Sequence, residues 1–202
     1  MDKQGLSEII GRGREQPGVE FKAGGSRKDK RLLAKVIRAV IGMANRRDGG
    51  CVIIGVQENE RGAPMPNGIS SEDLVTWSYD DLADSLAQYV DPTVNFDLEA
   101  IESDGKTFVV ILVQEFEDIP VLCKKDYPDV LRAGACYVRT RRKPETLEVP
   151  TQVDMRDLLE LAIDKGIRRF VTRARAGGLD LLGRFPPTDA DLFNKQIEDL
   201  LY

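Results

Sequence analysis

Six consecutive residues without a polar side chain, Cys51 to Val56, constrain the fold most strongly. They follow the turn-forming triplet Asp48-Gly49-Gly50. A short run of this kind is typical of a strand that is buried on both faces. The sequence therefore predicts a sheet with this strand in its interior.

The segments before this strand alternate between strand and helix patterns. Val19 to Lys22 has the period of two of a short strand, which puts Glu20 and Lys22 together on its exposed face. Between Arg27 and Asn45 the apolar residues fall three or four apart, which predicts an amphipathic helix. The expected fold class is α+β, a mixed α/β sheet flanked by helices, followed by a C-terminal helical tail.

Periodicity and turn residues predict the remaining elements in the same way. They are a helix at Leu6–Ile10, a loop at Asn59–Ser70, a helix at Tyr79–Val90, strands at Asn95–Ile101, Thr107–Phe116, Val121–Lys124 and Cys136–Thr140, and a helix at Met155–Lys165. The strands Asn95–Ile101 and Thr107–Phe116 are expected to form a hairpin across the turn Ser103-Asp104-Gly105-Lys106. We expect one domain over residues 1–171. Residues 172–202 are expected to form a linker from Arg173 and then an amphipathic helix capped by Thr188.

The chain contains no histidine among its 202 residues. This absence excludes Ser-His-Asp and Cys-His catalysis and zinc hydrolysis through imidazole ligands. The three cysteines are isolated, so neither a zinc site nor a disulfide framework is expected. An enzyme built from this chain would have to use carboxylates, Lys, Tyr or a metal ion held by oxygen ligands.

The formal net charge of −5 opposes binding of nucleic acid by the chain as a whole. Any phosphate binding must therefore come from local basic patches. No apolar run has the length of a membrane span, and the N-terminus lacks the apolar core of a signal peptide. We expect a cytoplasmic protein that makes no membrane contact.

Three carboxylates are candidates for a metal site. Glu20 lies on the first strand, Glu58 follows the buried strand, and Glu15 lies in the preceding loop. If the two strands are neighbours, these groups reach one rim of the sheet, where they would suit Mg²⁺ or Mn²⁺. Lys22 would then assist at a scissile phosphate. The alternative is a solvated acidic rim with Glu20 and Lys22 as a surface ion pair.

Positive charge is clustered at three places, and two of these clusters are the stronger candidates for contacts with a nucleic-acid backbone. Clustered Arg and Lys give an affinity for phosphate that does not depend on base sequence. One candidate cluster is the pair Arg46 and Arg47, and the other is Arg139 with Arg141, Arg142 and Lys143. The third cluster is Arg27-Lys28 with Lys30-Arg31. The alternative for each cluster is a solvated charged face.

Several ordered motifs resemble the Schlafen-type AlbA-like domain. They are Glu15-x-x-x-x-Glu20-Phe21-Lys22, Ala44-Asn45, Gly49-Gly50, Ile54-Gly55-Val56-x-Glu58 and Tyr137-Val138-Arg139. The resemblance extends over roughly Leu6 to Lys165. It implies a mixed α/β fold and, for the nuclease members, cleavage of RNA, notably transfer RNA, with three carboxylates and a divalent metal.

The resemblance carries over to individual residues. By motif, Glu15 and Glu20 match the first two acids of the family's triad, and Glu58 falls where the family usually has Asp. Met43 and Arg46 stand where the family favours Phe and Thr, and Arg46 adds positive charge near the expected site. The family's animal nucleases join two lobes into one groove, which implies a homodimer or larger oligomer for this single lobe.

The leading hypothesis is therefore a divalent-metal-dependent endoribonuclease that binds Mg²⁺ or Mn²⁺ through Glu15, Glu20 and Glu58. RNA is favoured over single-stranded DNA as the substrate, and a role in defence is implied only by the resemblance. Two alternatives stay open: a non-catalytic nucleic-acid-binding or regulatory module, and a subunit of a larger assembly that docks through its C-terminal tail.

Overall fold

The computed structural model of the chain describes residues 3–12, 14–59, 63–140, 143–177 and 196–197. The chain divides into two compact units, Met1–Leu159 and Glu160–Tyr202. In chain order the elements are α1 (Lys3–Gly11), β1 (Val19–Lys22), α2 (Lys30–Ala44), β2 (Gly50–Ile54), β3 (Val56–Glu58), β4 (Pro64–Pro66), α3 (Ser71–Leu74), α4 (Tyr79–Tyr89), β5 (Val90–Asp91), β6 (Phe96–Ser103), β7 (Lys106–Val113), β8 (Leu122–Cys123), β9 (Tyr137–Arg139), β10 (Thr146–Glu148) and α5 (Gln152–Ala176).

A four-stranded sheet in the order β1-β2-β7-β6 forms the centre of the first unit. β1 runs parallel to β2, with Val19 opposite Cys51, and the other neighbours are antiparallel. The interior strands β2 and β7 are apolar where they pair, and Val52–Ile54 and Phe108–Ile111 are buried. The predicted mixed sheet with flanking helices is confirmed.

Helix α2 is the crossover that a parallel strand pair requires. Asp29 caps its N-terminus, because its carboxylate accepts hydrogen bonds from the backbone N–H groups of Arg31 at 2.8 Å and Leu32 at 3.2 Å. The apolar stripe predicted from the sequence is buried, including Val36 and Val40. The opposite side of the helix is therefore left to carry the charged residues.

Asn45 joins the end of α2 to two later parts of the unit. Its side-chain amide donates hydrogen bonds to the backbone carbonyls of Val121 at 2.8 Å and Tyr137 at 2.9 Å. Its side-chain oxygen accepts a hydrogen bond from the N–H of Val121 at 2.7 Å. These bonds satisfy a buried amide, and they fix the start of β9 against the end of α2.

Gly55 ends the interior strand earlier than the sequence predicts. Its φ is +113°, and a Cβ there would lie 2.9 Å from the Phe108 ring and 3.0 Å from the backbone of Gly68. The chain turns at this point, so β3 leaves the central sheet and pairs with β4. The prediction of one strand from Cys51 to Val56 is therefore wrong at its end, and part of the predicted loop is strand β4.

The predicted hairpin is confirmed. β6 and β7 pair along their whole length, and their turn residues Asp104 and Gly105 have φ values of 53° and 69°. Positive φ at both central positions is what a two-residue turn between right-twisted strands requires. The predicted helices at the positions of α1 and α4 are confirmed as well.

Helix α5 is longer than predicted. The helix expected at Met155–Lys165 is present, but Arg173–Ala176, predicted as part of a linker, continues it. Gly166 does not end it, since an interior glycine costs a helix only about 1 kcal/mol. The tail helix predicted from Thr188 lies outside the described residues except at 196–197, which are helical. The predicted division at residue 171 stays a prediction.

No helix in the described part of the chain combines the length and the apolar character needed to cross a bilayer.

Candidate functional site

A cluster of charged side chains, here called the Arg139 cluster, lies where β1 meets the ribbon of β9 and β10. It consists of Glu15, Glu20, Lys22, Arg139 and Thr146. One guanidinium nitrogen of Arg139 is 2.8 Å from the Glu20 carboxylate, and another is 2.7 Å from the Glu15 carboxylate. The fold thus brings together the two acids that the sequence predicts to be neighbours, and it places Arg139 between them.

Further hydrogen bonds complete the cluster. Arg139 also donates to the backbone carbonyl of Val19 at 2.5 Å, and the Thr146 hydroxyl donates to Glu20 at 2.5 Å. Lys22 forms an ion pair with the other oxygen of Glu20. The N–H of Phe21 donates to Glu15 at 2.6 Å. Each carboxylate therefore accepts charge-assisted hydrogen bonds from the protein itself.

The cluster is buried, which corrects the expectation that Glu20 and Lys22 lie on an exposed strand face. Glu20 is 4% exposed, because Arg139 and Thr146 of the β9–β10 ribbon cover it. The side chain of Lys22 is 14% exposed and that of Arg139 only 1%. The pair of Glu20 and Lys22 exists, but it is a buried pair and not a solvated one.

Burial and pairing act in opposite directions on the two acids. Burial raises the pKa of Glu15 above its ordinary value and outweighs the lowering by Arg139 and by the Phe21 N–H. Burial also acts to raise the pKa of Glu20, but Lys22 and Arg139, with the hydrogen bonds from Lys22 and Thr146, lower it below its ordinary value. Glu20 is therefore the acid that the cluster holds in its charged form.

The cluster as it stands does not fit a divalent metal. Arg139 already supplies the positive charge between Glu15 and Glu20. The buried side-chain atoms here that lack a partner, Nε2 of Gln16 and Nε of Arg139, are both N–H donors, which need an acceptor and not a cation. Among the described residues, no three or more Cys, Asp or Glu side chains are grouped so as to hold a metal ion.

Glu58, the third predicted ligand, lies on β3 after the turn at Gly55. It is exposed, at the end of the ribbon that β3 forms with β4. It is not gathered with Glu15 and Glu20 into a ligand group, within the limits of the described residues. Its predicted role as a metal ligand therefore stays a prediction that needs a different arrangement from the one seen.

The structure separates the residues predicted to contact nucleic acid. Arg139 is buried in its cluster, so its guanidinium does not face a ligand in this arrangement. Arg46 is half-buried and donates to the backbone carbonyls of Arg47 at 2.9 Å and Gly49 at 2.7 Å. Arg47 and Lys143 are exposed. Arg141 and Arg142 lie outside the described residues.

A basic surface at the start of α2 was not predicted as part of the nucleic-acid site. Arg31 and Lys35 are exposed and four apart on one side of α2, and Lys28, which is also exposed, lies two residues before the helix begins. We call these three residues the α2 basic face. In the part of the chain that the structure describes, no ion pair engages them. Lys28 and Arg31 belong to the third basic cluster of the sequence, and the helical spacing of Arg31 and Lys35 could have identified the rest of the surface.

A small cavity is lined by residues from the start of α2 and the end of α4. Lys30, Ser85, Tyr89 and Lys125 are among its lining residues. The ammonium of Lys125 lies 5.1 Å from the centre of the Tyr89 ring, within the range of a cation–π contact. Lys30 and Lys125, which are 95 positions apart in the chain, thus bring positive charge to one cavity, which the sequence could not indicate.

Several solved structures resemble the chain, among them two from bacteria. The DIP2311 protein from Corynebacterium diphtheriae matches with 18% identity and a TM-score of 0.49, over 71% of this chain and 25% of that one. The N-terminal domain of a RecG-related protein from Nitrosomonas europaea matches with 24% identity and a TM-score of 0.47, over 66% and 88%. The chain thus spans about a quarter of the length of the first. No curated protein matches the chain.

The chain also matches a protein family. The family described as Schlafen, AlbA_2 matches residues 15–148. The match begins at Glu15 and extends past Thr146, so it includes every member of the Arg139 cluster, and it includes the α2 basic face. The family match associates the chain with a nucleic-acid-related function. The chain belongs to the Schlafen AlbA_2 family.

Proposed function

We propose that the protein binds nucleic acid through the α2 basic face. The observation that carries this proposal is the exposure of Lys28, Arg31 and Lys35 at and just before the start of α2. Phosphate oxygens need positive charge that the fold has not already neutralised. This face meets that need, whereas the buried guanidinium of Arg139 does not.

Three local features support phosphate binding despite the net charge of −5. The basic side chains lie at the N-terminal end of a 15-residue helix, where the helix dipole adds to the positive potential. Lys30 and Lys125 line the cavity between α2 and α4. Tyr89 lies at the same place and offers a ring on which a base could stack. Backbone contacts of this kind favour binding without strong sequence preference.

The test is fluorescence anisotropy with labelled single-stranded RNA, single-stranded DNA and duplex DNA over a range of salt concentrations. The variant Lys28→Ala/Arg31→Ala/Lys35→Ala is expected to bind at least about tenfold more weakly, and its salt slope on single strands should fall by about 2. Lys106→Ala, at an exposed lysine on β7, is the control and should bind as the wild type does. Undiminished binding by the triple variant would overturn the proposal.

Nuclease activity is a second candidate, favoured by the convergence of Glu15 and Glu20 on one guanidinium. The two acids that match the first two of the family's triad thus lie at one place in the fold, on either side of Arg139. The proposal keeps the sequence-derived assignment of Glu15, Glu20 and Glu58 as ligands of Mg²⁺ or Mn²⁺, with Lys22 assisting and RNA as the substrate. It requires a rearrangement in which Arg139 leaves the pair.

The nuclease proposal is tested with end-labelled transfer RNA and single-stranded DNA, in Mn²⁺, in Mg²⁺ and in EDTA. Glu58→Gln is the informative variant, because Glu58 is exposed and its replacement spares the buried cluster. Glu102→Gln, at an exposed position of β6, is the matched control. Metal-dependent cutting that disappears only in Glu58→Gln would support a nuclease. Binding without cutting in every condition would contradict it and leave a binding module.

A further inference from the structure

Exposed apolar side chains run along one side of α5. Met155, Leu159, Ile163, Ile167 and Phe170 are between 41% and 61% exposed. Their spacing of four, four, four and three residues keeps them within one helix face about 22 Å long. We call these five residues the α5 stripe. A continuous apolar surface of this length is unusual on a protein that has no partner there.

The stripe has the shape of a helix-packing surface. Ala162 and Gly166 lie within the same face, and a Cβ added at Gly166 would meet no atom within 4 Å. Small residues among large ones let a second helix approach closely. The buried residues Leu158 and Leu161 lie on a different face of α5 from the stripe.

The charges of α5 are divided between its two halves. Residues 152–164 carry four acidic side chains and one Arg, namely Asp154, Asp157, Glu160, Asp164 and Arg156. Residues 165–176 carry five basic side chains and no acidic one, namely Lys165, Arg168, Arg169, Arg173 and Arg175. Two copies of α5 side by side would repel each other in a parallel orientation and attract in an antiparallel one.

We propose that the α5 stripe is an interface with a second copy of this chain, in which the two α5 helices pack antiparallel about a two-fold axis near Ile163. This orientation sets Met155 against the partner subunit's Phe170 and brings the two Ile163 side chains together. It also sets each acidic half beside a basic half and opposes the two helix dipoles. A two-fold axis requires a self-complementary surface, and the charge division of α5 supplies one. The inference is independent of the proposed function.

The first test is the mass of the full chain in solution, by light scattering at about 50 µM, a concentration at which modest interfaces associate. The expected mass is about twice the 22.5 kDa of one chain. Ile163→Glu should reduce it to that of one chain, because two carboxylates would meet at the axis. A wild-type monomer, as expected if the chain's own tail covers the stripe, would overturn the proposal.

Ile119→Glu is the matched control for this measurement. Ile119 is 56% exposed and Ile163 is 58% exposed, so the two substitutions change equally exposed isoleucines, and only one lies on the stripe. The control should keep the dimer mass. Equal dissociation by both variants, or by neither, would overturn the proposal. Circular dichroism of each variant establishes that the fold is retained.

The second test determines the orientation by disulfide cross-linking in a Cys136→Ser background. Met155→Cys and Phe170→Cys chains are mixed and oxidised. An antiparallel pair should give cross-links between the two kinds of chain, whereas a parallel pair should give cross-links within each kind. Tagging one kind of chain to change its size on a gel distinguishes the two products. Cross-links within each kind alone would overturn the antiparallel arrangement.

Discussion

The Arg139 cluster and the α2 basic face hold similar cations in opposite environments. In the cluster, the Arg139 side chain is 1% exposed and two carboxylates neutralise it. On the basic face, Lys28, Arg31 and Lys35 face solvent. A buried cation must be paired with the fold's own anions, since an unpaired buried charge is very costly. An exposed cation has no such need, so it is the exposed set that is available to a ligand.

The sharpest test of this difference is removal of the buried cation. Arg139→Met should reduce the free energy of unfolding by about 3–5 kcal/mol, because it leaves Glu15 buried without its counter-charge and leaves Glu20 with Lys22 alone. Urea unfolding at neutral pH measures the loss. Arg132→Met is the control, since Arg132 pairs with Glu148 while both side chains are about half exposed, and it should cost far less than Arg139→Met. Equal losses would remove the distinction between the two environments.

A smaller loss is expected from Thr146→Val, which keeps the shape of the side chain and removes its hydrogen bond to Glu20. Hydrogen bonds to buried charges contribute about 1.5–3 kcal/mol, and urea unfolding should show a loss in this range. Thr172→Val removes a hydroxyl on the exposed side of α5 and should change stability by less than about 0.5 kcal/mol. A neutral Thr146→Val would mean that Arg139 and Lys22 alone satisfy Glu20.

The pH dependence of stability should carry the signature of Glu20. Because folding lowers its pKa, Glu20 contributes stability above its unfolded pKa and loses it as the pH falls through the folded pKa. Glu15 acts in the opposite sense, since its pKa is raised and its contribution is lost as the pH rises. The two contributions partly cancel, so the net change of stability with pH is smaller than Glu20 alone would give.

Unfolding measured between pH 7 and about 3 should show a shallower acid-side decline in Glu20→Gln than in the wild type. Glu102→Gln changes an exposed glutamate of β6 and should leave the decline as it is. The assignment to Glu20 fails if both variants follow the wild-type curve.

The smallest expected loss of stability is at the α2 basic face. Asp29→Ala removes the cap of α2 and should cost about 1 kcal/mol. Fraying of the first helical turn should also loosen the spacing of Lys28 and Arg31, so nucleic-acid affinity measured by anisotropy should fall modestly. Ser70→Ala removes the equivalent cap of the four-residue helix α3 and should leave that affinity unchanged. Equal affinity of the wild type, Asp29→Ala and Ser70→Ala would show that the start of α2 does not contribute to binding.

The sequence predicts the elements well because their patterns are local. The apolar stripe of α2 and the hairpin turn at Asp104-Gly105 need only neighbouring residues, and both are confirmed. The turn at Gly55 is different, since the close approach of Gly68 and Phe108 causes it. That contact depends on residues that are distant in the chain, so the predicted strand continued too far.

The candidate site was predictable only in part. The spacing of Glu15 and Glu20 places both acids at β1, and the structure brings them together. Alternation along the strand predicts that Glu20 is exposed to solvent, because a polar residue on a strand face is usually exposed. The β9–β10 ribbon reverses that assignment, and it comes from residues more than 100 positions away. No local pattern indicates that Arg139 is buried among carboxylates.

The register of the β9–β10 ribbon has a consequence for how Glu20 can lose its partners. Arg139 and Thr146 are paired residues across this ribbon, and both bond the same oxygen of Glu20. Asn45 anchors the ribbon at Tyr137, two residues before Arg139. Any displacement of the ribbon therefore breaks both bonds in one step. Exposure of the Glu20 carboxylate to solvent is accordingly an all-or-none event, and the effects of Arg139→Met and Thr146→Val should be less than additive.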